Sequence, residues 1–116
     1  MRPAAFLLLA SAALLSCDAT APATGELSWR FIDGRRCDDA GVQHVEIHGA
    51  GPSPLRVVCD DGLAPGGVYR LEVAEAPARL TLEGLTLSGA PLYRGHGLLP
   101  AEGGPLLITL RFVGGE

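Results

Sequence analysis

The sequence predicts an all-β protein, a small antiparallel β-sandwich of about seven short strands. Three observations lead there. Apolar and polar residues alternate at period two in several segments, the mark of a half-buried strand. Clusters of turn residues separate those segments, drawn from 16 Gly and nine Pro. No segment carries a convincing helical period. At 116 residues the chain has room for one domain. A hydrophobic content of 47% against 19% charged residues excludes a disordered tail.

The elements follow in order. Residues 1–16 read as a secretory signal. Arg2 is a short positive region, and Ala4 to Leu15 is apolar except for Ser11. That run is too short to cross a bilayer, which takes about 20 residues. Residues 17–25 read as an anchoring Cys followed by a flexible tether of Ala, Thr and Pro. The domain is expected over residues 26–116. Leu27, Trp29 and Phe31 share one face of a first strand, and Asp33 to Arg36 is a turn. A single helical turn fits Asp39 to Val42. Val45 and Ile47 point inward from a second strand, with His44, Glu46 and His48 outward. Leu55, Val57 and Cys59 line one face of a third strand. Asp60-Asp61-Gly62 and Pro65-Gly66-Gly67 are turn signals. Tyr69, Leu71 and Val73 alternate in a fourth strand.

The pattern then slips. Leu80 and Leu82 have one parity, Leu85 and Leu87 the other, which places a bulge or bend at Gly84. Leu92 to Leu99 is a short strand after the turn Ser88 to Pro91. Leu106 to Val113 closes the domain, with Ile108, Leu110 and Phe112 on one face.

The end of the signal is specific. Leu14-Leu15-Ser16-Cys17 resembles the lipobox of bacterial lipoproteins. The resemblance implies that the Cys17 thiol takes a diacylglyceryl group, that the signal is cut before it, and that the new amine is acylated, palmitate being a typical chain. Several acyl chains at ~0.8 kcal/mol per buried CH₂ make a stable anchor. Asp18 beside that Cys is an inner-membrane retention signal in some bacteria but not in all lineages; the expectation here is the outer membrane.

Three Cys are present, and lipidation of Cys17 leaves Cys37 and Cys59. In an oxidising compartment paired thiols form a disulfide. Closing a loop of roughly 20 residues contributes ~3 kcal/mol in the chain-entropy model. Two buried free thiols are the alternative.

The run from Trp29 to Val42, with its Gly34-Arg35 turn, Cys37 and Ala40-Gly41-Val42, resembles small envelope lipoproteins of G+C-rich Gram-negative bacteria. Cys59 with Asp61-Gly62, the Pro65-Gly66 turn before Tyr69, and Leu92-Tyr93-x-Gly95 extend the likeness over Leu27 to Val113. The chain departs from that pattern near Ala76 to Leu87. The resemblance implies an immunoglobulin-like or prealbumin-like sandwich with a Cys37–Cys59 bridge. It implies no reaction.

Candidate chemistry is sparse. Asp38, Asp39, Asp60 and Asp61 flank the two Cys, and four carboxylates in one region offer the oxygen donors of a Ca²⁺ site. Asp is also common in turns, where it caps backbone N–H groups, and the spacing matches no EF-hand loop. His44, Glu46 and His48 share a strand face and carry the donor types of a Zn²⁺ or Cu²⁺ site. Alternate residues on a strand stand ~6.5–7 Å apart, a long reach to one ion without a third element. A solvated outer face is the plainer reading. His96 stands alone in a Gly-rich stretch. Ser28, Ser53 and Ser88 lie in no elbow or triad motif, and there is no phosphate loop or dinucleotide fingerprint. Trp29 is either core or a stacking platform, with core the expectation. Leu98 and Leu99 either form an exposed patch or cover one end of the sandwich.

All nine basic residues are Arg, none clustered, against 13 acidic residues, which disfavours nucleic acid as a partner. The expected function is a lipid-anchored envelope protein acting as a non-enzymatic structural or interaction module, with no cofactor. Its partners would be the membrane, through the lipid, and an envelope protein or glycan. The alternative is a small-ligand or metal-binding envelope lipoprotein, using Ca²⁺ or Zn²⁺/Cu²⁺.

Overall fold

A computed structural model describes residues 20–59 and 68–114. The strands are β1 (Ala21–Phe31), β2 (His44–His48), β3 (Leu55–Val58), β4 (Tyr69–Ala76), β5 (Ala78–Leu85), β6 (Pro91–Leu99) and β7 (Gly104–Phe112), with one short helix, α1 (Cys37–Ala40). The protein is all-β, as its alternation predicts. Cys37 and Cys59 form a disulfide across a sequence separation of 22, tying α1 to the end of β3.

The expected two packed sheets are instead one hydrogen-bonded sheet of seven strands, in the order β3-β2-β5-β6-β7-β1-β4, curled into a half-barrel. The continuity comes from β7. It runs antiparallel to β6 through Tyr93↔Phe112 and Arg94↔Arg111, and parallel to β1 from Gly25↔Gly104 to Phe31↔Leu110. Gly95 lets β6 lie close against β7. A Cβ there would run into the Thr109 carbonyl oxygen and stand 2.8 Å from Ile108 Cγ2. A glycine inside a strand marks just such a close approach of another backbone. Gly95→Ala is therefore expected to destabilise by about 1–3 kcal/mol, as overpacking does. Gly51→Ala, with nothing near its Cβ, should stay within about 0.5 kcal/mol. Urea unfolding of the two variants checks both.

Each strand forms because its apolar parity has one core to face. Leu27, Trp29 and Phe31 of β1 meet Leu71 and Val73 of β4 and Ile108 and Leu110 of β7; Val45, Ile47, Leu80 and Leu82 close the other side. The slip in β5 is a register shift between Gly84 and Leu85, where the sequence places it. Leu85 is buried after the shift, whereas Leu87 is exposed.

Several boundaries differ from expectation. β1 begins at Ala21, inside the expected tether, and pairs with β4 from Ala21↔Ala76 onward. Backbone pairing needs no side-chain alternation, so the small residues before Gly25 carry no signal of it. The helical turn sits two residues earlier than expected and ends at Gly41, whose φ of 77° is the left-handed cap. Leu55 and Phe112 face solvent rather than core. Phe112 lies at the end of β7, where its ring meets Tyr93 edge-on at 5.4 Å. Leu98 is exposed and Leu99 fully buried, so the pair belongs to two faces. Trp29 is core.

Candidate functional site

The outer face of β2 and β5 carries the main polar convergence. Val45, Ile47, Leu80 and Leu82 are buried, so pleating turns Glu46, His48, Thr81 and Glu83 outward. The antiparallel register sets Glu46 opposite Glu83 and His48 opposite Thr81. Like charges directly opposite each other are destabilising. Two arginines offset that, each one strand further out. Arg56 of β3 is the register partner of Glu46, and Arg94 of β6 that of Glu83.

The bonds divide the work of each carboxylate. Arg56 Nη2 donates to Glu46 Oε2 at 3.1 Å. Arg94 donates to Glu83 Oε2 from Nη2 at 2.9 Å and from Nε at 3.1 Å. The other oxygens turn to His48. Its Nε2 lies 3.1 Å from Glu46 Oε1 and 3.6 Å from Glu83 Oε1. One nitrogen and two oxygens thus converge, all within 4.8 Å of one another. The glutamates are 20% exposed and His48 is 40% exposed, so the cluster is open to solvent but not free in it.

The sequence candidates are redistributed accordingly. Glu46 and His48 are in the cluster, but His44 pairs two residues away, with Val58 and Leu85. Glu83 takes its place from the neighbouring strand. Sequence reading missed it because strand pairing is not visible in a local pattern. His96 is not alone: its Nδ1 lies 3.1 Å from Thr81 Oγ1. Asp38 and Asp39 are exposed on α1. Asp60, Asp61, Cys17 and residues 1–16, expected as a signal, lie outside the described residues.

A second polar contact sits at the far end of β1. The Tyr93 ring is buried, packed edge-on against Phe31 at 4.7 Å between centroids. Its hydroxyl donates to Asp33 Oδ2 at 2.9 Å. Asp33 also accepts from the Arg35 amide and pairs with the Arg35 guanidinium at 3.6 Å. Desolvation pushes the Asp33 carboxyl up, but the Tyr93 hydroxyl and the Arg35 amide and charge outweigh it and leave the carboxyl below its ordinary value. Desolvation, and then the bond to Asp33, push Tyr93 above its ordinary value. The signs fix the pH windows. The Asp33 contribution is present above the usual carboxylate pKa and is lost as acid protonates the folded form. The Tyr93 contribution is present below about pH 10 and is lost as pH rises through the elevated folded value. The chain has no Lys to obscure that window. Urea midpoints are expected to fall as pH rises above about 10, and Tyr93→Phe should remove most of the fall.

No protein-family model matches the chain, and no curated protein or solved structure matches it. Among the described residues, no helix is long and apolar enough to cross a membrane.

Proposed function

We propose that the protein is a lipid-anchored component of a bacterial cell envelope whose small β-domain works as a non-enzymatic interaction module. The observation that carries this is the Cys37–Cys59 bridge. Such bonds persist in oxidising compartments and staple domains too small to rest on their core alone. The Leu14-Leu15-Ser16-Cys17 pattern supplies the anchor in this reading. The outer membrane is the proposed location.

The finer kinship, an immunoglobulin-like or prealbumin-like sandwich, belongs to the same proposal. Its support is that the curled sheet wraps one continuous core between its β1-β4 and β2-β5 portions. The working surface in this reading is a sheet edge. β3 ends the strand order, with Leu55 and Val58 exposed along it. An exposed sheet edge offers unpaired N–H and C=O groups to a partner's strand. An envelope protein or glycan is the proposed partner. A small-ligand or metal-binding role is the second reading, favoured by the Glu46–His48–Glu83 convergence.

Intact mass of the mature protein from membranes, before and after reduction, tests the anchor. The expected mass starts at Cys17 with acyl chains and rises by about 2 Da on reduction, one disulfide's worth of hydrogen. A mature chain without lipid overturns the anchored reading.

A further inference from the structure

We infer that Glu46, His48 and Glu83 form a binding site for one divalent transition-metal ion of the Zn²⁺ class. This deepens the second reading above and is independent of the lipid anchor.

The geometry is the first argument. Zn²⁺ sits 2.0–2.2 Å from nitrogen and oxygen ligands, so two ligands of a tetrahedral ion stand about 3.4 Å apart. His48 Nε2 lies 3.1 and 3.6 Å from the two Oε1 atoms. Two edges of the ligand triangle are therefore already at tetrahedral length. The third lies within 4.8 Å.

Chemistry is the second argument. One imidazole and two carboxylates combine donors of borderline hardness, suited to Zn²⁺. A neutral imidazole nitrogen carries at most one proton and can satisfy only one of the two Oε1 atoms at a time. A cation satisfies both carboxylates and the imidazole lone pair together. Three protein ligands leave a fourth position, which faces solvent because His48 is 40% exposed. Water takes it in this arrangement.

Support from behind is the third. Metal-ligating carboxylates are held by hydrogen bonds on their other oxygen, which fixes their aim. Arg56 and Arg94 bond the two Oε2 atoms, leaving both Oε1 atoms directed at His48. The ligands stand on a packed scaffold: buried Ile47 lies between Glu46 and His48 on β2 and pairs with buried Leu82, which adjoins Glu83 on β5. An ordinary surface ion-pair ladder would need the arginines and glutamates but not the imidazole between them.

The test is titration of the full chain, freed of metal by chelation, with Zn²⁺ by calorimetry and with Co²⁺ by visible absorption. One ion per chain is expected, with a tetrahedral-type Co²⁺ spectrum and a higher melting midpoint in Zn²⁺. Glu83→Gln and His48→Gln should each weaken Zn²⁺ binding at least about tenfold. Both keep side-chain size, and Glu83→Gln keeps an acceptor for Arg94. Their metal-free melting curves identify any loss of fold. His44→Gln and the pair Asp38→Asn/Asp39→Asn should leave binding unchanged. The inference is overturned by absent binding at millimolar Zn²⁺, by binding that survives Glu83→Gln, or by binding lost in His44→Gln. A chain that binds Zn²⁺ but carries no lipid would sink the anchor and leave this site standing.

Discussion

Replacing Cys37 and Cys59 together by alanine is expected to cost about 3 kcal/mol, from the entropy of closing a loop of this length in the unfolded chain. For a domain this small, each 1 kcal/mol moves the melting midpoint by roughly 4–8 °C. The double variant should therefore melt about 12–24 °C below the oxidised wild type. Wild type treated with reductant should match it. The bridge has this weight because β3 has little else to hold it. Of its four residues three are exposed and one is half-buried, and among the described residues its strand pairing is with β2 alone. Melts of the three samples by circular dichroism check the figure. An oxidised wild type that melts together with the other two would mean that the bridge does not constrain the unfolded chain.

The larger loss is expected at Trp29. Trp29→Ala removes an aromatic side chain that is 7% exposed and sits in β1, the strand between β7 and β4. Deleting a buried Trp costs about 3–5 kcal/mol, the lost transfer energy plus the cavity left behind. β4 pairs with the rest of the sheet through β1, so a loosened β1 releases β4 as well. Trp29→Phe keeps most of the volume and should cost clearly less. A surface stacking platform would show a change within about 0.5 kcal/mol. Urea unfolding followed by far-ultraviolet circular dichroism separates these outcomes without relying on the Trp signal.

Much of the fold is legible in the residues because burial writes itself into parity. Leu27-Trp29-Phe31, Val45-Ile47, Leu71-Val73 and Ile108-Leu110 all read as inward faces and are buried. The Gly84 slip is legible for the same reason: a bulge reverses parity, and the leucines record it. What parity cannot record is pairing between distant strands. The pairings of β7 with β6 and with β1, which merge two expected sheets into one, rest on backbone bonds and on the close approach of β6 to β7 at Gly95, neither of which leaves an alternation. The candidate site follows the same division. Glu46 and His48 are adjacent on one strand face and readable. Glu83 joins them only through the β2–β5 register, and the arginines that orient the glutamates come from two further strands.

The parallel pairing of β1 with β7 has a consequence for when the protein can fold. The residues it joins are 79 positions apart, as in the contact of Arg30 with Thr109. Until Gly104 to Phe112 has emerged, β1 has only β4 hydrogen-bonded beside it, and no strand joins that pair to β2, β3, β5 and β6. A two-stranded pair of that kind is marginal at best in water. Topologies dominated by such distant pairings fold slowly, because the entropy of closing the long loop is spent before its contacts form. The growing chain therefore stays loose until its last strand is available. For the exported protein proposed here, that delay keeps the polypeptide threadable through a translocation pore and defers closure of the half-barrel to the far side.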